Sequence, residues 1–165
     1  MPDEAQCHFE RLLLLTGRMN YMLTNTESLL IHVIAGLAGT DKQTAVIIFL
    51  TLNTTRARID LVERLAKMDR REETERDSIL ECTKALSRLS GVRNRFNHCI
   101  YSFDAESGHA QTILMRISDR RSDIRMGRAD PIDAAELSRV EETLTELAEL
   151  NRAIWERIIR NGYPL

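Results

Sequence analysis

The sequence predicts a mainly α-helical domain in which four principal helices pack as a bundle and a small β segment precedes the last helix. Leu, Glu, Arg, Ala and Ile dominate, and the 165 residues include 7 glycines and 3 prolines. This composition favours helix. Apolar residues recur at spacings of three and four over long segments, whereas residues from about 100 to 127 combine β-branched runs with turn signals. The length suits a single domain over residues 1–165.

The first helix is predicted from about residue 4 to residue 37, ended by Gly36 and Gly39. Its shared apolar face comprises Phe9, Leu12, Leu13, Thr16, Leu23, Leu30, Ile34 and Leu37. The stretch 29–34 is apolar on nearly all sides, which indicates a helix covered on both faces. In a domain this small, another subunit is one source of the second cover.

Two shorter elements follow. The apolar run 41–52 suits helix or strand because of its β-branched content, and a short helix is the preferred interpretation. Asn53, Thr54 or Thr55 can cap a further helix through Met68. The inward-facing residues of that helix are expected to be Ile59, Val62, Leu65 and Ala66.

The remaining elements are a third long helix, a β segment and a last helix. The third helix is predicted from about Glu73 to Asn97 or beyond. A β-hairpin or meander of two or three short strands follows over about 100–127. Asp130 and Pro131 are expected to open the last helix as cap and first-turn proline, and that helix runs to about Ile159.

Charge and cysteine content limit the classes of function. The net charge of −2 does not by itself indicate nucleic-acid binding, so any such contact needs a local basic patch. One arginine cluster is either a solvated surface or that patch: Arg116, Arg120, Arg121, Arg125 and Arg128. Cys7, Cys82 and Cys99 show no metal-ligand spacing, and the sequence has no bilayer-spanning apolar run. We therefore expect no metal, no membrane contact and a reduced, cytoplasmic location.

The segment 93–98 places polar groups in an apolar helical stripe. Arg93 and Asn97 fall within about 20° of Leu86 on a helical projection, and Asn94 and His98 follow on one shoulder. Burying charge without a partner costs several kcal/mol or more. On the first helix, Asn20 and Glu27 also lie inside the apolar stripe. Arg93 is therefore expected to pair with Glu27 in an internal network, to face a ligand, or to do both, since a carboxylate could orient it towards the ligand.

Arginine, histidine and asparagine without a nearby carboxylate or cysteine nucleophile suit work on a phosphodiester. Arginine binds phosphate through forked donors, and histidine exchanges a proton near neutral pH. In RNA the 2′-hydroxyl provides the nucleophile, so neither a protein nucleophile nor a metal is required.

The pattern Arg93-Asn94-x-x-x-His98, late in the third helix of a predicted bundle, resembles the HEPN superfamily (higher eukaryotes and prokaryotes nucleotide-binding). The resemblance also covers the order of the long helices. It implies a four-helix HEPN-like bundle and a homodimer whose two motifs form one composite cleft. Many members are similar to metal-independent endoribonucleases that act as toxins or in phage defence; others bind nucleotides or are inactive.

The resemblance, together with the helical projection, predicts roles for individual residues, and only Arg93, Asn94 and His98 match the family motif itself. Arg93, Asn94 and His98 are expected to be catalytic, with no cofactor. Arg95, Asn97 and Tyr101 are the expected substrate-binding residues, and Glu27 and Asn20 the supporting network. RNA or a nucleotide is the expected ligand, and an antitoxin protein is a possible partner.

Two departures weaken assignment to the toxin subgroup that is paired with a nucleotidyltransferase antitoxin. That subgroup usually has a tyrosine two residues after the histidine, where this chain has Ile100 and carries Tyr101 one position later. The β segment is also absent from the smallest members. The alternative function is a non-catalytic helical module that binds a nucleotide or protein and dimerises through its first and last helices.

Overall fold

A computed structural model describes residues 4–104, 109–115, 117–120 and 122–165. It confirms a mainly helical chain with a small antiparallel sheet before the last helix. The elements are α1 (Glu4–Ser28), α2 (Leu30–Ala38), α3 (Lys42–Thr51), α4 (Thr55–Ala66), α5 (Glu73–Asn97), β1 (Cys99–Asp104), β2 (His109–Leu114), β3 (Ile117–Arg120), β4 (Asp123–Met126), β5 (Ala129–Pro131) and α6 (Ala134–Arg160).

The chain divides into two compact units. Unit 1 comprises Met1–Asn20 and Gly91–Thr145, and unit 2 comprises Tyr21–Ser90 and Glu146–Leu165. The long helices α1, α5 and α6 contribute residues to both units. The polar segment that follows Gly91 and the whole sheet belong to unit 1.

The single helix predicted over 4–37 is instead two helices that meet at Leu29. Thr26 and Ser28 donate their hydroxyls to the carbonyls of Met22 (2.8 Å) and Asn25 (2.7 Å). Such bonds compete with the helical ladder and bend helices. The Leu29 N–H accordingly turns to the Thr26 carbonyl, three residues back, at 3.2 Å. Of the two glycines expected to end this helix, Gly39 does so, because it adopts a φ of +69° and caps α2, whereas Gly36 lies within α2.

Side-chain caps decide where α3 and α4 begin. The Asp41 carboxylate accepts the Thr44 N–H at 2.9 Å, and this hydrogen bond lowers the pKa of Asp41. The run 41–52 is therefore the short helix that the sequence favoured. Of the three candidate caps for α4, Thr54 takes the role, accepting the Ala57 N–H at 3.1 Å. Ile59, Val62 and Ala66 are buried as expected, and Leu65 is half-buried.

Tyr163 is a buried residue of unit 2, and its ring packs against Gly36 of α2. A Cβ atom added to Gly36 would lie 2.1 Å from the nearest ring carbon of Tyr163, closer than real contacts allow. The Tyr163 hydroxyl donates to Glu75, and burial raises the pKa of Tyr163 well above its ordinary value. Gly36 is thus required by this close approach of the ring to the helix backbone.

The sheet of unit 1 has the strand order β1-β2-β5 with antiparallel pairing, and β3 pairs with β4 separately. The register of β1 against β2 runs from Cys99 opposite Leu114 to Asp104 opposite His109. Alternation along this ladder puts Tyr101 and Phe103 on the same face as the buried Thr112 and Ala110. The Phe103 ring lies 5.6 Å from the ring of Phe9 on α1.

The predicted start of the last helix is wrong. Asp130 and Pro131 belong to β5, where they pair with Thr112 and Gln111. This strand is an edge strand, so the missing N–H of Pro131 is tolerated. The helix begins at Ala134, because Asp133 provides the cap by accepting the Glu136 N–H at 2.8 Å. Its end at Arg160 agrees with the expected boundary.

We predict that Gly36→Ala lowers the free energy of unfolding by about 1–3 kcal/mol, because the new methyl group overpacks against Tyr163. Gly17 in α1 is the matched control, since a Cβ there meets nothing within 4 Å. Gly17→Ala should raise stability by about 0.5–1 kcal/mol through helix propensity. Urea unfolding followed by circular dichroism measures both; equal or greater resistance of Gly36→Ala than wild type would contradict the packing.

Candidate functional site

His98 is the single residue between the last turn of α5 and the first residue of β1. Its N–H donates to the Asn94 carbonyl at 3.1 Å, and its carbonyl accepts the Met115 N–H at 3.0 Å. The helix therefore holds one side of this peptide and the sheet holds the other. The imidazole is exposed and makes no hydrogen bond or ion pair to the described residues. A fixed backbone thus presents an unpaired imidazole.

His98 lines an open cavity of about 550 Å³ within unit 1. The lining residues from α5 and its junction with β1 are Gly91, Asn94, Arg95 and His98; the others are Leu114 at the end of β2 and Met115, which follows it. Asn94 and His98 are one helical turn apart and therefore share a face. One wall is polar and the other apolar, an arrangement suited to a ligand with a charged part and an apolar part.

Arg95 is held at the edge of this cavity by two carboxylates. Its Nη2 donates to Asp130 at 3.2 Å and to Glu136 at 2.8 Å. The Glu136 side chain is 1% exposed and that of Arg95 is 37% exposed. Within the described part of the chain, Nε and Nη1 of Arg95 make no hydrogen bond. One nitrogen therefore anchors the guanidinium, and the others remain available to an anion.

The buried Glu136 carboxylate is the centre of that anchoring network. Its other oxygen, Oε2, accepts Nε of Arg139 at 2.8 Å. Asp130 in turn accepts Nε of the exposed Arg128 at 3.0 Å. Sequence reasoning missed Glu136 and gave Asp130 a capping role, because each is far from Arg95 along the chain. A glutamate in the first turn of a capped helix was the only local signal, and it is equally typical of a solvated helix start.

Asn97 pairs with Asn20 rather than lining the cavity. The two carboxamides exchange hydrogen bonds, with both N–O distances 3.1 Å. Asn20 also donates to the Thr16 carbonyl, one turn back in α1, at 3.1 Å. The supporting role expected of Asn20 is thus directed at Asn97. This exchange explains how carboxamides are accommodated at a helix seam.

Arg93 and Tyr101 are not among the described residues that line the cavity. Arg93 is half-buried, and its Nε is buried without a hydrogen-bond partner in the described ranges. Tyr101 donates its hydroxyl to the Phe96 carbonyl at 3.0 Å, and burial raises the pKa of Tyr101. Tyr101 therefore links the start of the sheet to the end of α5. The cavity brings together Asn94, Arg95 and His98 from the predicted set.

Glu27, the predicted partner of Arg93, lies in unit 2 and is 8% exposed. One oxygen accepts Nη1 of Arg58 at 2.7 Å, and the other accepts the Thr55 hydroxyl at 3.2 Å. Arg58 also stacks over the Phe49 ring, 4.0 Å from its centroid. Both oxygens of Glu27 are thus engaged within this unit. Arg58 was overlooked because helical periodicity does not determine which helix faces Glu27.

The arginine cluster of the β segment is described only in part. Arg116 and Arg121 lie outside the described residues, and Arg120 and Arg125 belong to β3 and β4. Arg128 is 78% exposed and bound to Asp130. The basic patch therefore stays a prediction from the sequence.

The cysteines are free thiols, with Cys7 exposed, Cys82 buried and Cys99 half-buried. Burial raises the pKa of both Cys82 and Cys99. Within the described ranges, no three metal-ligating side chains converge. Over the same residues, no helix combines the length and apolar character needed to cross a bilayer.

Comparison with known proteins adds no assignment: no family model, no curated protein and no solved structure matches this chain. The chemistry of the cavity is therefore inferred from its own residues. An unpaired imidazole can exchange a proton, an exposed carboxamide can orient an oxygen, and a half-anchored guanidinium can bind an anion. These groups suit a phosphate-bearing ligand.

We predict that Glu136→Gln lowers the free energy of unfolding by about 1–3 kcal/mol, since an amide NH₂ or a weaker acceptor would then face two guanidinium groups. Glu141→Gln is the matched control on the same helix. Glu141 binds Arg11 at 3.0 Å in an exposed pair, whose loss should cost less than about 1 kcal/mol. Chemical unfolding compares the two; equal effects would contradict the central role of Glu136.

Proposed function

We propose that this protein is a metal-independent endoribonuclease of HEPN type, with its active cavity at the junction of α5 and β1. The observation that carries the proposal is that Asn94, Arg95 and His98 line one open cavity. Asn94 and His98 belong to the motif that resembles the HEPN signature, and Arg95 lies between them. The unpaired imidazole and the free donors of Arg95 support a cut at a phosphodiester.

The proposed reaction uses the 2′-hydroxyl of RNA as nucleophile. Its oxygen forms a bond to phosphorus while the bond from phosphorus to the 5′-oxygen breaks, which leaves a 2′,3′-cyclic phosphate and a 5′-hydroxyl. His98 accepts the 2′-hydroxyl proton or donates one to the leaving 5′-oxygen, and water or a second His98 performs the other transfer. Arg95 holds the non-bridging oxygens through Nε and Nη1, and Asn94 orients the phosphate.

The assembly is part of the same proposal. The resemblance places two motifs in one composite cleft, so a homodimer with a HEPN-like bundle is the proposed form. Several apolar side chains of unit 1 are exposed, and a second subunit would cover them in a homodimer: Leu13, Leu14, Ile100 and Met115. Arg93, which has no ion-pair partner in the described ranges, would direct its charge to RNA within that cleft. The biological role that we propose for this activity is in a toxin–antitoxin pair or in phage defence.

A second candidate function is nucleotide binding without cleavage. The observation that favours it is the contact of Arg95 with both Asp130 and Glu136. Two carboxylates reduce the positive charge that Arg95 offers to a transition state, while leaving enough donors to bind a ground-state phosphate. In this case the cavity would retain a nucleotide and the chain would act as a helical interaction module.

We predict that wild-type protein cleaves single-stranded RNA in EDTA and that His98→Gln slows cleavage by at least about 100-fold, the usual contribution of a general acid or base. His109→Gln is the control, because His109 is an exposed histidine on the same sheet and lies outside the described cavity lining. End-labelled RNA with a single ribose among deoxyriboses measures the rate and the site of cleavage. The products should carry 2′,3′-cyclic phosphate ends.

Unchanged cleavage by His98→Gln, loss of cleavage in EDTA, or cutting of the all-deoxy strand would each refute the proposed mechanism. The binding candidate is distinguished by a paired measurement. Under it, no variant cleaves, and Arg95→Gln loses nucleotide affinity whereas Arg128→Gln, which removes another partner of Asp130, retains it.

A further inference from the structure

A second cavity, also about 550 Å³, lies in unit 2 where α5 begins and α6 ends. Its volume falls within the range of about 300–1,000 Å³ that small-ligand sites occupy. Its lining includes an unusual concentration of one residue type: Arg70, Arg71, Arg157 and Arg160. No residue of the proposed ribonuclease site contributes to it. The cavity therefore calls for a separate explanation.

Two of these arginines are anchored by the fold. Arg71 donates through Nη2 to the Gly36 carbonyl at 3.0 Å and through Nη1 to Glu75 at 3.3 Å. Arg157 donates to the Ser78 carbonyl and to Glu81, both at 3.1 Å. Their side chains are largely enclosed, with 17% and 18% exposed. These two guanidinium groups are held in place by the fold, and each is paired with a carboxylate.

The other two arginines have donors to spare. Arg160 is exposed and makes no hydrogen bond or ion pair to the part of the chain that the structure describes. Arg70 uses Nη2, which donates to the carbonyls of Leu37 at 3.1 Å and Ala38 at 3.3 Å. Its Nε and Nη1 make no hydrogen bond within the described ranges. Forked donors of this kind suit the paired oxygens of a phosphate.

The first turn of α5 adds backbone donors at the same place. The Arg76 N–H donates to the Glu72 carbonyl at 3.0 Å. The N–H groups of residues 73–75 come earlier in the first turn and therefore have no acceptor within the helix. Thr74 within this turn also lines the cavity. Helix N-termini favour anions through these donors and the helix dipole. The helix start thus reinforces the positive charge of the arginines.

Besides Glu81, which is paired with Arg157, two carboxylates of the lining oppose this charge. Glu75 lines the cavity but is already bound by Arg71 and by the Tyr163 hydroxyl. Glu72 also lines it, is exposed, and makes no ion pair within the described ranges. The lining therefore keeps an excess of guanidinium charge, with Glu72 as the remaining repulsive group.

We propose that this cavity binds a small molecule through a diphosphate group. Arg160 and the free edge of Arg70 engage the phosphate oxygens, and the first turn of α5 donates to the same anion. The cavity volume of about 550 Å³ accommodates a small ligand of this kind. This site is independent of the proposed ribonuclease activity, since the two cavities share no residue.

The test is isothermal titration calorimetry with sodium pyrophosphate at constant ionic strength. Arg160→Gln should weaken binding about tenfold, the effect of losing one charged hydrogen bond. Arg152→Gln is the matched control, because Arg152 is an exposed arginine of the same helix that lies outside the described lining. Its affinity should equal that of wild type. Glu72→Gln should bind about twofold more tightly or better, because it removes the repulsive carboxylate.

Absence of binding by wild type at millimolar pyrophosphate would overturn the proposal. Equal affinity of Arg160→Gln and Arg152→Gln, or weaker binding by Glu72→Gln, would do the same. Circular dichroism of each variant ensures that the comparison is made between folded proteins. The opposite effects expected at Arg160 and Glu72 separate a specific site from general attraction to arginines.

Discussion

The constraint on which unit 1 depends is the direct passage from α5 into β1 through one residue. His98 completes a helical hydrogen bond with its N–H and begins the sheet ladder with its carbonyl. No loop intervenes, so the register of β1 against β2 follows from where the helix ends. That register pairs Leu114 with Cys99 and brings the Met115 N–H to the His98 carbonyl, next to the end of α5. The cavity is therefore a geometric consequence of this junction, and its polar wall carries Asn94 and His98.

Buried carboxylates impose a second constraint, and arginine meets it in both units. Glu136 is satisfied by Arg95 and Arg139, and Glu27 by Arg58 with a threonine hydroxyl. Burying a carboxylate is costly unless donors replace its water, and a guanidinium provides several donors in a fixed plane. The preference for arginine over lysine in this chain thus has a structural reason.

Both cavities use the same physical device. At each, the fold's own acceptors hold one nitrogen of a guanidinium, while its other donors stay unpaired in the described structure. Arg95 is held by Asp130 and Glu136, and Arg70 by the carbonyls that end α2. Anchoring lowers the entropy that must be lost when an anion binds. The anchor also offsets part of the guanidinium charge.

The sequence by itself indicated most of the helical segments and the β segment, because apolar periodicity is a local property, but it did not show the break at Leu29 or the start of α6 at Ala134. It predicted that α5 would end near Asn97, that Gly39 would end α2, and that Asn94 and His98 would share one shoulder. Only the tertiary structure decided that Arg95 rather than Arg93 lines the cavity, that Asn97 pairs with Asn20, that Arg58 binds Glu27, and that Asp130 belongs to a strand. These outcomes depend on contacts between segments distant in sequence. Helical angles give the direction of a side chain from its own axis but not the element that it meets.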